Sequence, residues 1–162
     1  AKHNKNWNYI GLEIREKLVN KSKLKLKDES IDNLYFAFGN AEYLLEDCIS
    51  KFPADLVTSV SFNFPDPWFK KKHHKRRIIQ PKLIHKISQL MAKGGSISIK
   101  SDVKELFEYM DIIICESKCF INYIYQDSEI LNSYNPINLK TNRENYVIRK
   151  NLKVFEKLYK KI

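Results

Sequence analysis

Cysteine is scarce: Cys48, Cys115 and Cys119 form no CxxC pair and have no histidine at zinc spacing, which argues against a disulfide framework and against a structural metal site. They read as buried thiols in a reducing compartment. No apolar run approaches the roughly 20 residues that would cross a bilayer, and the polar start from Ala1 to Asn8 has no signal-peptide core. The chain therefore reads as intracellular and soluble, with no membrane partner. Only four glycines occur, with no Gly/Ser linker tract, no internal repeat and no heptad pattern, so the 162 residues read as one domain, 1–162. Acidic residues also fall short, with 19 Asp plus Glu against 29 Lys plus Arg. The resulting net charge of +10 favours nucleic acid or another polyanion as partner.

What is present is most informative between Asn63 and Arg77. Asp66 stands alone between Pro65 and Pro67, and these prolines are expected to push Phe64 and Asp66 toward extended backbone, leaving the carboxylate on a stiff, non-helical loop. From Lys70 to Arg77 the chain contains only Lys, Arg and His, a density of donors suited to phosphate oxygens. The pairing suggests a reaction centre beside a polyanion clamp. A solvated charge run is the competing reading, and His73 and His74 within it read as phosphate donors rather than general bases.

Hydrophobic periodicity supplies the frame. Tyr9–Glu13 reads as a short strand ending in an acid, followed by a helix from Ile14 to about Leu26. Leu34–Phe38 repeats the pattern, closed by Gly39-Asn40, with Ala41, Leu44, Leu45, Cys48 and Ile49 on one helical face. Val57–Phe64 is a third strand leading into the Asp66 loop. A helix beginning at Pro81, with Leu83, Ile84, Ile87 and Leu90 inward, is expected to stop at Gly94-Gly95. Ser96–Lys100 alternates as a half-buried strand, and a helix starts near Asp102. Cys119–Tyr125 is a strand candidate, 126–140 a surface loop, Thr141 the start of a short helix, and Val154–Tyr159 a last strand. Alternating strands and helices predict an α/β fold with a mostly parallel sheet covered by helices on both faces, binding groups lying at the carboxyl ends of its strands. Glu13, Asn40, Asp66 and Asp102 all fall at such ends.

Residues 64–81 resemble the signature FPDPW-x-KK-x-HHKRR-x-x-QP of the tRNA (guanine-N7)-methyltransferases, which use S-adenosylmethionine on a Rossmann-like sheet. Gly11-Leu12-Glu13-Ile14-Arg15-Glu16-Lys17 is similar to the family's second motif, and Ser101-Asp102 through Glu105-Leu106-Phe107 to its fifth. The resemblance runs from Tyr9 through essentially the whole chain and is weakest over residues 126 to 138. It implies a class I methyltransferase in which Glu13 binds the cofactor ribose, Arg15 is a neighbouring cofactor contact, and Asn40 and Ala41 lie against the adenine. Asn63 then sits where the backbone approaches the methyl donor, Asp66 is the essential aspartate, and Lys70, Lys75, Arg76 and Arg77 hold the RNA backbone. Asp102 matches a substrate-site acid, and Thr141 and Glu144 a Thr-x-x-Glu element near cofactor and guanine. Several of these positions also have structural readings: Arg15 as partner of an acid, Asn40 as a helix start, and Asp102/Glu105 and Thr141/Glu144 as capping boxes.

The resemblance further implies tRNA as substrate, modified in the variable loop, with no metal. Eukaryotic members are expected to work with a WD-repeat subunit and to reside in nucleus or cytoplasm. Family members carry a Gly-rich loop before the second motif, and these residues contain no GxGxG, so the first strand and that loop are expected to be absent here. That departure keeps a second reading open, a noncatalytic RNA-binding module that retains the basic clamp.

Overall fold

The structure, a computed structural model, describes residues 1, 4–51, 53–123 and 140–162, without the side chains of 48–50. The tail of the Cys119–Tyr125 strand candidate and nearly all of the 126–140 loop lie outside the described residues. The chain divides into two compact units, Ala1–Lys51 and Phe52–Ile162.

In the first unit β1 (Tyr9–Glu13) and β2 (Leu34–Phe38) pair in parallel, with Tyr9 opposite Leu34 and Glu13 opposite Phe38. A parallel pair needs a crossover, and α1 (Glu16–Asp28) supplies it, burying Val19 while its lysines face outward. Gly11 seats the Phe36 ring, since a Cβ there would lie 2.5 Å from it. The helix α2 (Ala41–Lys51) follows β2 directly.

The second unit is built on a four-stranded sheet in the order β3 (Val57–Asn63), β4 (Met91–Ser101), β6 (Phe155–Lys161), β5 (Phe120–Asn122). The β3–β4 pair is parallel, and β6 is antiparallel to both its neighbours, so three of the four strands share one direction. Helices α3 (Pro81–Leu90), α4 (Lys104–Glu116) and α5 (Asn142–Arg149) complete it, with a 3-10 turn over Lys71–Arg76. Its core joins Ile97 and Ile99 of β4 to Leu83, Ile84 and Ile87 of α3 and to Leu106, Met110 and Ile114 of α4.

Three expectations are corrected here. Helix α3 ends at Leu90, not at Gly94-Gly95, because Met91 is already extended and pairs with Val57. The glycines instead form a bulge inside β4: pairing resumes at Ser59 and Ser96, and Gly94 adopts a φ of +79° that favours glycine. The stretch Ile97–Ser101 is buried throughout rather than on alternate faces, so both faces of the sheet are covered here. Its serines are satisfied across the sheet, Ser98 Oγ donating to Ser61 Oγ at 2.8 Å and Ser96 Oγ to Ser59 Oγ at 3.1 Å. Cys115 is exposed and Cys119 partly so, and neither is a core thiol.

An ionic cluster locks α4 to β6. Asp111 accepts from Lys157 Nζ at 2.7 and 2.9 Å and from Tyr159 Oη at 2.8 Å. Partial burial opposes the Asp111 carboxylate, but the bonds from Lys157 and Tyr159 outweigh it and hold its pKa below the ordinary value. Burial, reinforced by Asp111, pushes the Tyr159 phenol far above its ordinary value.

Candidate active site and nucleic-acid interface

At the carboxyl end of β1–β2, Arg15 grips Glu13. Its Nε and backbone N–H both donate to Oε1 at 3.0 Å, and Nη2 donates to Oε2 at 3.2 Å. The Arg15 hydrogen bond holds the Glu13 carboxyl below its ordinary pKa. Oε1 thereby accepts two bonds and Oε2 one, so the pairing orients the carboxylate and leaves acceptor capacity on Oε2. The Gly39 N–H closes this edge by donating to the Glu13 carbonyl at 3.1 Å. Asn40 realises its helix-start reading, with Oδ1 accepting the Glu42 N–H at 2.8 Å, and Ala41 opens α2.

At the carboxyl end of β3 the ladder continues for one bond, Phe64 N–H to Lys100 O at 2.9 Å, and then the chain turns sharply. Phe64 has a φ of +50° and Trp68 of +46°, where the proline rule leads one to expect extended backbone at Phe64. Bulky residues in this region carry strain, held here by surrounding contacts. Asn63 and Asp66 are exposed at the rim of the turn. Trp68 is clasped by the Arg76 guanidinium, 5.1 Å from its ring, and by the edge of His73 at 5.7 Å.

The basic run divides in two. Lys70, Lys71, Lys72, Lys75 and Arg76 are exposed, as a phosphate-binding surface requires. Arg77 is only 4% exposed: Nε donates to Pro67 O at 2.9 Å, Nη2 lies 3.1 Å from Glu105 and 3.0 Å from His74 Nε2, and its plane sits 4.7 Å over Tyr109. Its donors are turned inward, so it braces the Asp66 loop against α4. Gln80 adds two bonds, to the carbonyls of His74 and Arg77 at 3.1 and 3.0 Å.

At the end of β4, Lys100 is 1% exposed and pairs with Glu144 at 3.0 Å, while Asp102 pairs with Arg143. Thr141 caps α5, its Oγ1 accepting the Glu144 N–H at 3.1 Å. The Glu144 carboxylate is therefore drawn to Lys100 while its backbone serves the cap. The capping box expected from Asp102 and Glu105 does not form. Val103 is the α4 cap residue without a side-chain bond, Ser101 Oγ takes the Val103 N–H, and Glu105 goes to Arg77. Sequence reasoning missed Lys100, Glu105 and Arg143 as ties; a lysine inside Ser96–Ser101 was the one available signal. Among the described residues no group of three His, Cys, Asp or Glu side chains stands ready for a metal ion, and no helix is long and apolar enough to cross a membrane.

The architecture recurs in solved methyltransferases. An rRNA methylase from Streptococcus thermophilus superposes with a TM-score of 0.56 at 19% identity, over 96% of this chain and 74% of the other. A putative methyltransferase from Streptococcus mutans, solved in complex with SAH, gives 0.53 at 15% identity, over 96% and 76%. The fold is thus that of the Rossmann-like class I methyltransferases, an α/β architecture.

Sequence comparison narrows the class. A family described as putative methyltransferases matches residues 1–157. The tRNA (guanine-N(7)-)-methyltransferase of Prochlorococcus marinus subsp. pastoris is 55% identical over 159 residues, 98% of this chain and 76% of that protein. The chain belongs to the tRNA (guanine-N7)-methyltransferase family.

Proposed function

We propose that this protein methylates N7 of a guanine in the variable loop of folded tRNA, with residues 1–162 belonging to a single methyltransferase domain. The Asp66 loop carries the reading: an exposed carboxylate on a braced turn, continuous with exposed cations, in a chain 55% identical to an enzyme of that name. That identity, spanning 98% of the chain, also disfavours a noncatalytic RNA-binding module. The proposed partner is tRNA. A WD-repeat subunit belongs to the eukaryotic branch of the resemblance, whereas the relative named above is bacterial.

The residues at the end of β1–β2 fit S-adenosylmethionine chemically. Glu13, oriented by Arg15, keeps acceptor capacity on Oε2 for a ribose hydroxyl, and Asn40 and Ala41 are the residues proposed to lie against the adenine. When bound, the cofactor supplies an electrophilic methyl group on a sulfonium. Guanine N7 offers its own lone pair, so no proton need be removed from the nucleophile. Positioning then carries the rate. Asp66 accepts hydrogen bonds from the donor edge of a flipped guanine and stabilises the positive charge spreading over the ring as N7 is alkylated. Asn63, Thr141 and Glu144 are the cofactor residues proposed in the second unit, and Asp102 is its proposed substrate-site acid. Lys70, Lys75 and Arg76 hold the ribose-phosphate chain.

The test is nucleoside analysis of unmodified tRNA transcripts incubated with full-length protein and methyl donor. 7-Methylguanosine should appear, and Asp66→Ala should slow its formation at least a hundredfold. An Asp66→Ala rate within threefold of the parent refutes the role given to that carboxylate. Absence of cofactor binding refutes the enzyme reading altogether.

A further inference from the structure

The loop that carries Asp66 also carries a large aromatic ring turned mostly to solvent. Phe69 is 68% exposed, although its neighbour Trp68 is tucked against Arg76 and His73. Its exposure does not come from a slack segment. Phe64 is hydrogen-bonded to Lys100 and the Pro67 carbonyl to Arg77, so the chain leaves Trp68 from a fixed base and enters Lys70 in extended backbone.

The surroundings decide what such a ring suits. Lys70, Lys71 and Lys72 follow it and are all exposed. Lysine is depleted in the cores of protein–protein interfaces, which makes a protein partner a poor match. Unpaired RNA offers both complements at once: a base face for the ring and phosphates for the lysines on either side of that base. We propose that Phe69 is a stacking platform for an unpaired nucleobase of the RNA substrate, a positioning role that rests on the tRNA methylation reading above.

The test measures dissociation constants of full-length parent, Phe69→Ala, Phe69→Leu and Phe69→Trp for a tRNA transcript that the parent methylates, across a salt series. Loss of one stack should weaken binding about tenfold in the Ala and Leu variants, while Trp stays within threefold of the parent. The salt slope and the affinity for S-adenosylhomocysteine should stay unchanged in all four, because stacking releases no counterions and leaves the fold intact. A Phe69→Ala variant that binds within twofold of the parent overturns the proposal. So does a Leu variant that restores binding as Trp does, since that means apolar packing rather than stacking. A parent that binds no tRNA overturns the methylation reading and this proposal together, whereas a competent parent with an indifferent Ala variant overturns the stacking role alone.

Discussion

Arg77 shows how far a residue's neighbours in sequence misstate its surroundings. It closes a run of eight basic side chains, yet its guanidinium is buried on Pro67, His74, Glu105 and Tyr109 while Lys75 and Arg76 stay in solvent. Composition gives all of them the same phosphate-binding character, and only packing separates them. Two experiments should therefore diverge. Lys75→Ala or Arg76→Ala should reduce the salt dependence of tRNA binding by about one unit of logarithmic slope each. Arg77→Ala should leave that slope nearly unchanged and instead destabilise the protein by about 2 kcal/mol, through the orphaned Pro67 carbonyl and lost packing, as measured by urea unfolding. Phe64 carries a related lesson. A proline after it favours extended backbone, but the bond from its N–H to Lys100 and the turn toward Asp66 force a φ of +50°. Local preference yields where tertiary contacts over-determine the turn.

Strands and helices were legible where period and boundary signals agreed. Tyr9–Glu13 and Leu34–Phe38 match their expected bounds, and Pro81 opens α3 as its fixed φ suggests. The end of α3 was not legible, because Gly94-Gly95 serves a strand bulge as well as it serves a helix stop. The polar serines of β4 misled in the same manner, since their partners come from β3, some 37 residues away in sequence. The tie between β4 and α5 belongs to this scale too. Lys100 and Glu144 form a buried pair, so loss of Lys100 would strand the Glu144 carboxylate, whereas Lys100 without Glu144 still faces Glu156 at 3.6 Å. Lys100→Met should cost about 3–5 kcal/mol, and Glu144→Met less, because Glu156 remains beside Lys100. The double variant should be more stable than either single one, and a double-mutant cycle on denaturant unfolding checks this.

The whole molecule carries its charge in a way that sets its pH limits. Asp111 and Glu13 have pKa values lowered from their ordinary ones, so they contribute stability that is present at neutral pH and is lost as pH falls through those lowered values. Tyr159 has a raised pKa, so its contribution is complete below about pH 10 and declines as the unfolded phenol ionises above that. Stability measured against pH should form a plateau with both limbs, and Tyr159→Phe should flatten the alkaline one. By itself the sequence determined the α/β alternation, the polyanion preference and the position of Asp66 after a strand, because periodicity, net charge and proline act within a few residues of chain. Only the tertiary structure decided which cations face solvent, what binds Glu144 and where β4 begins, because burial and pairing depend on segments distant in sequence and on the dielectric they create together.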